Sequence, residues 1–249
     1  QLRRQKLRRI FLPFGEELGY DVPVFDFRIP GVTSISADTH KYGYAFKGTS
    51  AVVFRDKALR NSQYFHIVSW SGGKYMSPGM DGSRSGGLLA ATWASMVHLG
   101  RAGYRAYADE IFSAAGAMMD AVRSHPELRV MGSPTFCFSF TSDAFDIYHV
   151  ADFMRPRGWR FNGQQYPNAV HMAVTRPQTQ PGVVDAFAAD LAEAVAYARE
   201  QSAAGKSAES GAIYGGVAGG LTTEVEDLIV TFMDAMLDNF QALPPAVAE

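Results

Sequence analysis

The chain has 249 residues, 47% hydrophobic and 19% charged, which is globular composition and excludes a disordered or collagen-like polymer. Lys and Arg number 23 against 25 Asp and Glu, so a formal charge of -2 gives no global field to draw in nucleic acid. A single cysteine, Cys137, excludes an internal disulfide framework and fits a reducing, cytoplasmic setting.

The first residues carry a basic cluster, Arg3, Arg4, Lys6, Arg8 and Arg9, that no apolar signal-peptide region follows. It reads as a solvated basic end. No apolar run reaches the roughly 20 residues of a membrane-spanning helix, so no transmembrane segment is expected. Residues 31–37 and 50–54 read as buried strands bounded by Gly or charged residues. Between them, residues 38–49 form a polar loop punctuated by Gly, where a reactive group at a sheet edge would stand.

After a segment rich in Gly, Ser and Pro, residues 71–87, the pattern turns helical. Residues 88–99 are one apolar stretch. From Tyr104, the positions Tyr107, Ala108, Ile111, Phe112, Ala115, Met118, Met119 and Val122 follow helical spacing, a stripe that reads as core packing. His125 before Pro126 ends that helix near Ser124. Further on, Phe136-Cys137-Phe138-Ser139-Phe140 alternates at period two, 147–154 reads as a short helix, 169–174 as a strand and 183–199 as a helix led by Pro181. This half is a small α/β unit. Residues 202–220 read as a linker that holds Ala212-Ile213-Tyr214-Gly215, and 224–240 as an amphipathic helix.

Chemistry concentrates in Ser36-Ala37-Asp38-Thr39-His40-Lys41-Tyr42-Gly43. A Schiff-base lysine needs a partly desolvated amine on rigid backbone, and Lys41 follows a strand. By position alone it reads first as a surface lysine. No grouping of His, Cys, Asp and Glu has metal-ligand spacing, so no metal is expected. No Gly-x-Ser-x-Gly elbow or P-loop ending is present. His66, His98 and His171 read as packing histidines, and Cys137 as an inert core thiol.

Several strings in register carry a resemblance. Ile35 through Gly43, Phe25-Asp26-Phe27-Arg28-Ile29-Pro30-Gly31-Val32-Thr33-Ser34, Trp70-Ser71-Gly72-Gly73-Lys74-Tyr75, Ser77-Pro78, Gly82-Ser83-Arg84 and Ala212-Ile213-Tyr214-Gly215 together resemble the sphingosine-1-phosphate lyase branch of the group II pyridoxal-phosphate-dependent decarboxylases. The resemblance runs from about Phe11 to the end and covers the C-terminal half of such an enzyme. It implies an α/β chain: part of a fold-type I pyridoxal-phosphate-dependent transferase, with the end of the large domain over 1–100. A long connecting helix and a small C-terminal α/β domain would fill 101–249.

The same resemblance implies roles. Lys41 would bind pyridoxal phosphate as a Schiff base, with His40 against the cofactor phosphate. Gly82 and Ser83 would reach the cofactor phosphate of the partner subunit in a homodimer. Lys47 would meet the phosphate of a phosphorylated sphingoid base, and Tyr214 would stand near the substrate. The reaction implied is retro-aldol cleavage to a fatty aldehyde and phosphoethanolamine. Two departures stand out. The acid that the family sets under the pyridine nitrogen is missing before Phe11, where Gln5-Lys6-Leu7-Arg8-Arg9-Ile10 stands, and Phe46 replaces the usual proline before Lys47. The alternatives are an amino-acid decarboxylase of the same group, which shares His-Lys, and a truncated, non-catalytic remnant that self-associates when made alone.

Overall fold

The computed structural model describes residues 10–79, 82–211 and 223–241. Its contacts divide the chain into two compact units, Gln1–Gly116 with Val174–Pro181, and Ala117–Ala173 with Gly182–Glu249.

In the first unit, helix α1 (Leu12–Glu17) begins with Pro13 in its first turn, where a missing N–H costs nothing. Strands β1 (Ser34–Asp38) and β2 (Ser50–Phe54) pair antiparallel, with Asp38 opposite Ser50. Helix α2 (Lys57–Asn61) is capped by Asp56, whose side chain accepts from the Leu59 N–H. A short hairpin, β3 (Phe65–Ile67) and β4 (Tyr75–Ser77), follows. Helix α3 (Gly86–Arg123) is two helices joined at Gly100, whose φ of 58° and ψ of -179° leave the helical region. Glycine alone adopts that geometry without a Cβ penalty.

The core of this unit forms where α1 meets α3. Gly15 is buried, and a Cβ there would stand 2.4 Å from the Phe112 ring, so only glycine permits the approach. Phe11, Tyr42, Tyr104, Ala108, Ile111 and Phe112 are all buried. By contrast, no apolar side chain between Phe46 and Leu99 is buried among the described residues.

The second unit holds a four-stranded antiparallel sheet in the order β5-β6-β8-β7, from β5 (Leu128–Val130), β6 (Cys137–Ser142), β7 (Asn162–Gln164) and β8 (Ala169–Ala173). Period-two alternation turns Phe138 and Phe140 inward, opposite Met172 and Val170. Helices α4 (Tyr148–Met154) and α5 (Val183–Ala203) pack through Phe153 and Tyr197, with ring centroids 5.2 Å apart. Helix α6 (Thr223–Gln241) completes the described chain.

Several expectations need correction. Residues 31–37 and 50–54 were expected to be buried strands. They are strands at 34–38 and 50–54, but neither holds a buried residue: β1 is exposed or half-buried, and β2 is exposed along nearly all its length. His66 and His98 are exposed rather than packed, while His171 is half-buried on β8. Cys137 is half-buried at the start of β6 rather than in the core. The linker reading fails at its start, since α5 runs to Ala203. Its motif, Ala212 to Gly215 with Tyr214, lies outside the described residues.

Candidate active site around Lys41

Lys41 stands in a tight turn directly after β1, and the turn is held from several sides. The Lys41 N–H donates to the Asp38 carbonyl at 3.2 Å, Tyr44 N–H to the Lys41 carbonyl at 3.3 Å, and Ala45 N–H to the Thr39 carbonyl at 3.1 Å. Gly43 is required here, because a Cβ would sit 2.4 Å from the Thr39 carbonyl oxygen. Two buried tyrosines pin the turn, one from within it and one from α3. Tyr42 donates its hydroxyl to the Val174 carbonyl, and Tyr104 donates to the Gly43 carbonyl, both at 2.8 Å. Phe11 seats both rings, at 5.1 and 6.4 Å between centroids. The lysine therefore stands on backbone as rigid as the core beneath it.

Polar groups surround the amine. Lys41 Nζ donates to Asp38 Oδ2 at 2.5 Å, and the lysine side chain stays 32% exposed, open to a reagent. The other Asp38 oxygen accepts from Ser50 Oγ at 2.7 Å. These two hydrogen bonds hold the Asp38 carboxyl below the usual carboxylate range. Thr39 is buried; its hydroxyl donates to the Thr49 carbonyl at 2.8 Å, and Thr49 Oγ1 lies 2.7 Å from Thr92 Oγ1. His40 is half-buried, with Nδ1 3.4 Å from the same carbonyl. Tyr44 takes a left-handed φ of 55°, and its buried hydroxyl has no hydrogen-bond partner among the described residues. Burial pushes that phenol up to about 12.

His40 and Lys41 share the turn after β1. Lys47, Gly82 and Ser83 are exposed, and among the described residues none is bonded to Lys41. Tyr214 lies outside the described residues. Open cavities of about 360 and 340 Å³ lie over β2 with α2, and over the β3–β4 hairpin, and no candidate residue lines either. No cluster of His, Cys, Asp and Glu that could hold a metal occurs among the described residues. Asp38, Ser50, Tyr42 and Tyr104 were not singled out from sequence. Asp38 carried a signal, the i,i+3 spacing to Lys41; the others depend on strand pairing and tertiary packing.

No protein-family profile matches the chain. Sphingosine-1-phosphate lyases of Arabidopsis thaliana and Saccharomyces cerevisiae are 42% and 39% identical to it, over 90% and 92% of this chain. A solved sphingosine-1-phosphate lyase of Burkholderia pseudomallei superposes with a TM-score of 0.77 at 55% identity, covering 94% of this chain and 48% of that one. Glutamate decarboxylase of Lactobacillus brevis superposes at 0.59 with 21% identity, over 76% of this chain and 45% of its own, a likeness of fold alone. The chain spans 41% and 40% of the two curated relatives' lengths. Its architecture is part of the pyridoxal-phosphate-dependent fold-type I.

The residues at the β1 turn fit the attachment of an aldehyde cofactor such as pyridoxal phosphate. The amine is half-exposed, stands on pinned backbone and has a carboxylate beside it. The five motifs of the first unit and the two comparisons agree on one lineage. The chain belongs to the sphingosine-1-phosphate lyase branch of the group II pyridoxal-phosphate-dependent decarboxylase family.

Proposed function

We propose that the chain is the C-terminal half of a lyase that cleaves a phosphorylated sphingoid base to a fatty aldehyde and phosphoethanolamine. In this reading, residues 1–100 end the cofactor domain and 101–249 make the small domain. Lys41 holds the cofactor through its amine, and the pinned turn keeps that amine in one place through repeated turnover. When bound, pyridoxal phosphate supplies the sink for electrons left by the broken C2–C3 bond. His40 lies against the cofactor phosphate. Lys47, an exposed cation six residues past Lys41, pairs with the substrate phosphate as a hydrated point charge. Gly82 and Ser83 serve the cofactor phosphate of a second copy in a homodimer. Tyr214 completes the substrate end.

The observation that carries this reading is the placement of Lys41 on a turn locked by Tyr42 and Tyr104, in a chain 55% identical to a solved lyase. A second reading, a non-catalytic remnant, has its own support. The stretch from Phe46 to Leu99 buries no apolar side chain among the described residues, and the Lys41 side chain is about one-third exposed. Co-expression with the N-terminal portion of the Burkholderia pseudomallei lyase separates the two. The lyase reading expects aldehyde release from a phosphorylated sphingoid base, abolished by Lys41→Ala. A complemented, folded pair that releases none supports the remnant.

A further inference from the structure

A lysine that serves as an attachment point must be held even when its nitrogen carries nothing. Its four-carbon stem is flexible, and an unrestrained amine spends its time in solvent. Here it is restrained. Asp38 Oδ2 accepts from Lys41 Nζ at 2.5 Å, while Ser50 Oγ donates to Asp38 Oδ1 at 2.7 Å. Asp38 and Ser50 are direct partners across the β1–β2 ladder, so strand pairing aims the carboxylate at the lysine. Asp38 and Lys41 side chains are 29% and 32% exposed, a setting in which an ion pair is screened less than at the open surface. No other described acid contacts this amine.

We infer that Asp38 is a positioning residue that parks the free Lys41 ammonium at the end of β1, with Ser50 orienting the carboxylate. The inference rests on Lys41 being the attachment lysine. The carboxylate acts through the lysine and touches neither cofactor nor substrate. Its work falls in the intervals when the amine is unattached: before the cofactor arrives, and whenever substrate amine has taken the lysine's place. Because Asp38 lies three residues before Lys41 on the same pinned turn, the tether moves with the lysine and needs no second element to close.

The test is competitive acetylation of the cofactor-free chain with trace acetic anhydride, read by peptide mass spectrometry. The ratio of Lys41 to Lys47 modification is the readout, since Lys47 is exposed and outside the tether. Asp38→Asn should raise the ratio about three- to fivefold, the size expected for losing a half-exposed ion pair. Ser50→Ala should raise it less, and Asp38→Glu should restore the value of the natural chain. High salt should raise the ratio in the natural chain and leave Asp38→Asn unchanged. An unchanged ratio in folded Asp38→Asn overturns the tether. Should that variant not fold, a ratio in the natural chain and in Ser50→Ala that ignores both salt and substitution overturns it equally. Pyridoxal phosphate added to the same samples, then borohydride, reports separately on the attachment role. Absence of a Lys41 adduct there defeats that role without touching the acetylation result.

Discussion

Thr39 is 6% exposed, and its hydroxyl satisfies the Thr49 carbonyl inside the turn that carries Lys41. Thr39→Val keeps the shape but removes the shorter of the two contacts to that carbonyl, leaving His40 Nδ1 at 3.4 Å, and should cost about 1–3 kcal/mol in denaturant unfolding. Asp38 gives a pH prediction. Its carboxyl is held below its ordinary value in the folded chain, chiefly by the Lys41 hydrogen bond and next by Ser50. The stability this contributes is full above the unfolded carboxylate pKa of about 4, and is lost as pH falls through the depressed folded value. Unfolding midpoints taken from pH 6 downward should fall more steeply for the natural chain than for Asp38→Asn. At this scale the sequence was legible where chemistry is written in adjacent residues, as in His40-Lys41. Ser50 and Tyr104 were not legible, because one depends on which residue faces Asp38 across a ladder and the other on a helix 61 positions away in sequence.

Elements with long periodic patterns were readable in advance. The stripe from Tyr104 to Val122 became the buried face of α3, with Ala108, Ile111, Ala115, Met118 and Val122 fully buried. The break at Gly100 was missed, since one glycine barely disturbs an apolar count yet frees the backbone to leave the helix. Three-residue strands such as β3, β4, β5 and β7 are too short for periodicity to register. Two substitutions test the packing of each unit. Gly15→Ala drives a methyl into the Phe112 ring between α1 and α3, and should cost on the order of 1–3 kcal/mol. In the second unit, Phe140→Ala empties a fully buried site in β6 and should cost about 3–5 kcal/mol. Chemical denaturation of each variant, monitored by circular dichroism, measures both losses.

For the molecule as a whole, burial is unevenly distributed along the chain. Val52, Val53, Phe65, Val68, Trp70, Met76, Trp93 and Val97 are all more than half exposed, as are Val230, Phe232, Met233 and Leu237 of α6, whereas residues 104–198 bury an ordinary core. Sequence pattern marks such residues as interior, which is correct for a pleated or helical face awaiting a cover. It does not say whether the cover belongs to the same polypeptide. Apolar surface of this extent drives association. The isolated chain should run as oligomers in light scattering and bind a hydrophobic dye; a monodisperse monomer that melts cooperatively would contradict this. No helix among the described residues is long and apolar enough to cross a membrane. The proposed function depends on the Lys41 amine taking a pyridoxal aldehyde. Its most direct measurement is to titrate the purified chain with pyridoxal phosphate, reduce with borohydride and map the modified peptide. The account predicts a single predominant adduct on Lys41, lost in Lys41→Ala. Modification scattered over exposed lysines, with Lys41 no more reactive than Lys57 or Lys74, would contradict it.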